Sequence, residues 1–205
     1  RKIKSTDHIK LSKVEGSPYL YEEWKPGKMR TIGGSEIDDI DLKYNCYSQY
    51  LVAKRNKSQD SVLVNDLLIQ AFQLEIMEDS ALLFRKYRLN DHLIERNEGV
   101  FYQVLLDGEV SLLKYQYKKI RHFDQETSSI VDTNRPRLVL EDELFFIKKD
   151  GTNISIKKNG KKKVLAFFGP NEKELIKYVK ANKIRFHSEI DLTKLAAQHN
   201  REVIK

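Results

Sequence analysis

Two groups of side chains have the types and spacing to make contacts, and several others invite a catalytic reading. Tyr19, Tyr21 and Trp24 fall on a short segment bounded by Pro18 on one side and Pro26-Gly27 on the other. Clustered at the surface, these rings would offer a protein or glycan contact; otherwise the segment tucks in as an edge. The densest basic run is Lys157-Lys158-Asn159-Gly160-Lys161-Lys162-Lys163. It straddles an Asn-Gly turn signal and reads as a solvated turn leading into a basic helix start. Lys158, Lys161, Lys162 and Lys163 are its candidate contacts, for phosphate, a lipid headgroup or nucleic acid.

Covalent chemistry would have to use Cys46, the single cysteine, in Tyr44-Asn45-Cys46-Tyr47. No histidine stands within ten residues of it, so it reads as a small buried hydrophobe. Only folding could bring it the base that a nucleophile needs. His8, His92, His122, His187 and His199 form no His-Glu-x-x-His and no compact pair with the cysteine, so no metal or cofactor site is assigned. His122, between Arg121 and Phe123, reads as a surface or sheet-edge residue. His199 lies late in an expected helix, where the dipole favours a cation. In Glu141-Asp142-Glu143, neighbouring strand residues would face opposite ways, so the run reads as a solvated strand start rather than an acid pair. Asp38-Asp39 and Asp41 lack the calcium-loop spacing. Gly33-Gly34 lacks the Gly-Lys-Ser/Thr of a phosphate loop, and no Gly-x-Ser-x-Gly elbow occurs. No catalytic residue is assigned.

The elements that would position these groups are strands, then helices. Val100–Leu106 and Glu109–Tyr115 flank Asp107-Gly108, which predicts a tight hairpin with positive backbone angles in its turn. Alternation sets Tyr102, Val104 and Leu106 against Phe101, Gln103 and Leu105; both faces are largely apolar, which places the hairpin in an interior. A second hairpin is expected around Asp150-Gly151, its returning strand alternating Ile154 and Ile156 with Ser155 and Lys157. Strands are also expected over Met29–Ile32, within residues 44–54, and over Ser61–Val64, Ala71–Met77 and Leu82–Tyr87, with a turn at Asn65-Asp66. Leu89–Asn97 reads as a connection or a short irregular strand. Toward the end the period changes. Lys162–Phe168 predicts a short helix presenting Val164, Leu165 and Phe168 and stopped by Gly169-Pro170. Asn171 with Glu174, and Ser188 with Asp191, are capping pairs for two more helices. Their apolar stripes are Leu175, Ile176, Val179 and Leu192, Leu195, Ala196.

Across 205 residues, 40% are hydrophobic and 33% charged, which fits a folded domain rather than a disordered chain. Thirty-seven Lys and Arg against thirty Asp and Glu leave a formal charge of +7, too mild to name a partner. One cysteine excludes an internal disulfide framework, and no apolar run reaches a bilayer-spanning length. The chain opens at Arg1 with no apolar leader segment, as a processed or truncated chain would.

Phe101 through Lys114, Asn171 through Lys180, Phe186 through Leu195, Gly16-Ser17-Pro18-Tyr19-Leu20 and Trp24 to Gly27 occur in an order that resembles a group of envelope-associated or secreted proteins from Bacteroidetes. The likeness spans most of residues 16 to 203. It implies export after removal of a signal peptide, with a periplasmic or envelope location, and brings no activity or ligand with it.

The expected fold is α+β: a mostly antiparallel sheet or partly open barrel with C-terminal helices packed against it. A polar arm (1–18) would lead into a strand-rich region (19–123), then a loop or seam (124–136), then a hairpin and short helices (137–205) in the same cooperative unit. The leading functional expectation is a non-enzymatic envelope protein with a protein-binding or structural role. The alternative is a ligand- or nucleic-acid-binding module using the basic turn and exposed aromatics, and an enzyme is third.

Overall fold

Strong β-formers alternating with polar residues from residue 25 to residue 155 assemble into one antiparallel sheet of ten strands. The computed structural model describes residues 14–55, 58–89, 99–122 and 135–203. His8, His92, most of the expected arm, the 90–97 connection and most of the 124–136 loop lie outside the described residues. The strands are β1 (Lys25–Thr31), β2 (Glu36–Asn45), β3 (Tyr50–Arg55), β4 (Val62–Leu63), β5 (Ile69–Met77), β6 (Ser80–Tyr87), β7 (Val100–Leu106), β8 (Val110–Arg121), β9 (Arg137–Lys148) and β10 (Asn153–Ser155). Their order is β10-β9-β8-β7-β6-β5-β1-β2-β3-β4. The sheet is not closed into a barrel. β8 and β9 pair from Val110↔Lys148 to Arg121↔Arg137, well past the reach of β7. Beside that overhang sit the segment before β1 and the β2–β3 turn. Lys118 N–H donates to the Cys46 carbonyl (3.1 Å), and Lys118 Nζ donates to the carbonyls of Ser17 (2.7 Å) and Tyr19 (2.5 Å). The end of the expected polar arm is thereby pinned. Glu15 bridges to β9 through Glu15 N–H to Pro136 O and Leu138 N–H to Glu15 O, each 2.9 Å.

Three helices follow: α1 (Lys161–Ala166), α2 (Glu172–Ala181) and α3 (Glu189–Val203). Val164, Leu165, Phe168, Leu175, Val179, Leu192, Leu195 and Ala196 bury against Val110, Leu112 and Phe146 of the sheet, as their stripes predict. A second cluster lies inside β1–β3, β5 and β6, where Phe72 and Phe84 stack at 4.6 Å beside Tyr44 and Phe101. A third, around Tyr102, Leu113, Tyr115 and Phe145, covers the other face of β7–β9. The central hairpin is thus packed on both sides. Each such fully buried large side chain contributes about 1.5–3 kcal/mol.

Three local expectations need correction. Pro26-Gly27 does not break the chain but lies inside β1. Pro26 pairs only with Asp41 of β2, since pairing with β5 begins at Gly27, so its missing N–H falls at the strand's end. A Cβ on Gly27 would stand 2.3 Å from the Gln73 carbonyl oxygen, so only glycine fits there. Neither Asp107 nor Gly108 adopts a positive φ. The turn runs through Asp107, Gly108 and Glu109, and the register shifts between Val104 and Leu106, so Leu105 and Leu106 both pack toward the helices. At the second hairpin Gly151 does take φ +87°, with Gly151 N–H on Lys148 O (3.0 Å). Ser155 there is fully buried, and Ile156 is buried too. Finally, Asn171 makes no capping bond at α2. A 3-10 turn, Gly169–Asn171, leads into that helix, and the Asn171 amide meets His199 Nδ1 at 3.3 Å. Ser188 does cap α3, its Oγ accepting from Asp191 N–H (3.3 Å).

Candidate functional site

Backbone bonds fasten the aromatic segment to the end of β2: Leu20 N–H donates to Tyr44 O (2.8 Å) and Cys46 N–H to Pro18 O (2.9 Å). The segment is tucked, yet Tyr19, Tyr21 and Trp24 all stay partly exposed. Trp24 precedes β1 by one residue, opposite the outward side chains of β2. Lys43 Nζ lies 5.3 Å from the Trp24 ring and 5.2 Å from that of Tyr19. Lys54 Nζ lies 5.0 Å from Trp24, on its other contact. Tyr21 receives Lys25 at 5.1 Å and packs against the inner cluster. The register Asp41↔Lys54 sets a carboxylate beside Lys54 at 3.6 Å. Among the described residues, no carboxylate comes within ion-pair distance of Lys43. Burial, with Tyr50 alongside, raises the Tyr19 hydroxyl's pKa.

Chemically this is an aromatic surface bordered by ammonium groups, suited to acidic or aromatic side chains of a partner. No local signal in the sequence marks these lysines. Period-two alternation in β2 and β3 would have put Lys43 and Lys54 on the outer face, but strand pairing was needed to bring Trp24 to them.

The lysine run takes the expected form. Gly160 precedes α1, and Lys157, Lys158, Lys161, Lys162 and Lys163 are all exposed. Lys161 Nζ stands 5.4 Å from the Phe186 ring. The run belongs to the β10–α1 connection, and the three aromatics to the approach to β1. They form two separate groups by element, with Lys43 and Lys54 as the cations at the rings.

The remaining candidates have packing roles. Cys46 is fully buried, and burial pushes its thiol up to about 12. Such a thiol holds its proton and is a poor nucleophile. Glu141-Asp142-Glu143 lies in the middle of β9 rather than at its start. Alternation sends Glu141 and Glu143 to the Tyr117 hydroxyl, which donates to them at 3.1 and 3.4 Å. Asp142 faces Lys114 at 3.4 Å. Hydrogen bonds from Lys119 (2.7 Å) and Arg121 hold Glu141 down to about 2. Burial and these acids push Tyr117 up to about 12. An open recess of about 420 Å³ lies here, lined by Lys119, Arg121, Leu140, Glu141, Asp142 and Lys157. Its acids are already neutralised by their neighbours.

His122 is exposed at the end of β8. His199 is buried, and desolvation lowers its pKa, so burial outweighs the dipole expected to favour its cation. Among the described residues, no group of three or more His, Cys, Asp and Glu could hold a metal ion, and no helix is long and apolar enough to cross a membrane. No protein family matches the chain, and neither a curated protein nor a solved structure does.

Proposed function

We propose that this chain is a non-enzymatic protein-binding module of the cell envelope, and that its contact is the aromatic–lysine face formed by Tyr19, Tyr21 and Trp24 with Lys43 and Lys54. The observation that carries the reading is Trp24, partly exposed and in contact with two ammonium groups. A large ring fixed by its neighbours loses little freedom on binding, and such residues dominate interface energetics. Cations beside it favour an acidic partner segment. The chemistry elsewhere also supports recognition over catalysis, since the thiol is sealed and Glu141 is bound by two bases. The envelope location rests on the resemblance of the 101–114 and 171–195 segments.

The test is retention of proteins from the native envelope fraction on the immobilised chain, compared with its Trp24→Ala and Lys43→Glu forms. A protein held by the parent and lost, by tenfold or more, from both variants is the expected result. Equal retention by all three forms would refute the assigned face, and retention of nucleic acid or a small ligand alone would refute the protein-binding role.

A further inference from the structure

Charge is divided unevenly along this chain. Residues 157–203 hold twelve Lys and Arg against five Asp and Glu, a net of +7, which equals the formal charge of the whole protein. The rest of the chain balances, with twenty-five of each sign. The helical cap is therefore the cationic part of the described molecule, set on a strand region, residues 14–156 as described, with seventeen Lys and Arg against eighteen Asp and Glu. Three of its acids are already engaged: Glu189 by Lys114 of the sheet (2.8 Å), Asp191 by Arg185 (3.0 Å) and Glu174 by Lys177 (3.2 Å). On α2, Lys173, Lys177 and Lys180 recur at helical spacing on an exposed stripe. On α3, Ile190 and Lys194 share an exposed face, and Ile190 is 69% exposed.

From this distribution we infer that the helical cap docks on an anionic phospholipid surface, through the lysines of 157–163 and the exposed Ile190. Ten of the twelve cations are lysine. Lysine is a hydrated point charge that needs no fixed geometry, and near an anionic leaflet each contributes about 1 kcal/mol. Nucleic-acid readers instead combine forked arginines with exposed aromatic platforms. The ring that meets the lysine run here, Phe186, is partly buried beneath Lys161. Ile190, at the start of α3, is the exposed apolar side chain of the same cap, and interfacial binding combines such a side chain with basic residues.

Co-sedimentation with vesicles of phosphatidylcholine plus phosphatidylglycerol, against phosphatidylcholine alone, tests this. The intact chain should bind only the anionic vesicles and be released by salt. Replacing exposed Lys157, Lys162 and Lys163 together by Gln should weaken binding roughly a hundredfold, and Ile190→Ser should weaken it several-fold, both with unchanged thermal unfolding. Trp24→Ala should bind vesicles like the parent, so the membrane contact and the protein contact fail independently. No binding to anionic vesicles, equal binding to neutral ones, an unaffected triple variant, or tighter binding to duplex DNA or RNA would each overturn the inference.

Discussion

Position 199 sets two effects against each other. The negative end of α3 would favour a charged imidazole, yet the ring is only 6% exposed and lies against Phe168 with ring centroids 5.0 Å apart. Burial lowers its pKa; Lys148 acts in the same direction, while Glu202 and Glu109 oppose it. The unfolded chain therefore takes up the proton first. This residue's contribution is fully present above about pH 6.5 and declines as pH falls through the lowered folded value. Urea midpoints should drop between about pH 7 and about pH 5, more steeply in the parent than in His199→Gln; parallel slopes would count against this account. Cys46 behaves oppositely, because its raised pKa keeps the neutral thiol in the fold. In the native protein it should resist alkylation at mildly alkaline pH, and labelling should follow global unfolding. Fast labelling of the folded chain would show that the Cys46 site is open.

Between elements, Asn200 ties the helical cap to the strand that follows the β7–β8 turn. Its Oδ1 accepts from Val110 N–H (2.9 Å) and its Nδ2 donates to Val110 O (3.0 Å). A Cβ on Gly108 would fall 2.1 Å from that Nδ2. Gly108→Ala should therefore displace the amide and cost about 1–3 kcal/mol. Asn200→Ala should cost about 1–2 kcal/mol, and the double variant clearly less than the sum, because both lesions break the same pair of bonds. Additive losses would show that glycine serves another purpose there. The turn also shows where sequence reasoning reaches and where it stops. Asp107-Gly108 correctly marks a hairpin, and the stripes of α1–α3 name the side chains that pack on the sheet, Ile176 only partly buried, because both signals are local. The reason for the glycine is not local, since the constraint comes from a helix ninety residues onward. For the same reason the capping signal at Asn171 does not reveal its neighbour His199. The candidate site was half legible: the rings stand together in sequence, whereas Lys43 and Lys54 reach Trp24 only through the β1–β2–β3 pairing.

At the scale of the molecule, the proposed contact lies on the β1–β3 side of a sheet that is close to charge-balanced, while a cationic helical cap covers part of β7–β9. Burial of Leu192, Leu195 and Ala196 in the same cluster as Val110 and Phe146 argues that cap and sheet unfold together. The protein's single tryptophan stands at the centre of the assigned contact. Its fluorescence is therefore the most direct test, read while a protein retained from the envelope fraction is titrated in. Binding should shift Trp24 emission toward the blue, and Lys43→Glu should remove both the shift and the affinity. Saturable binding of that protein with the Trp24 spectrum unchanged would contradict the account.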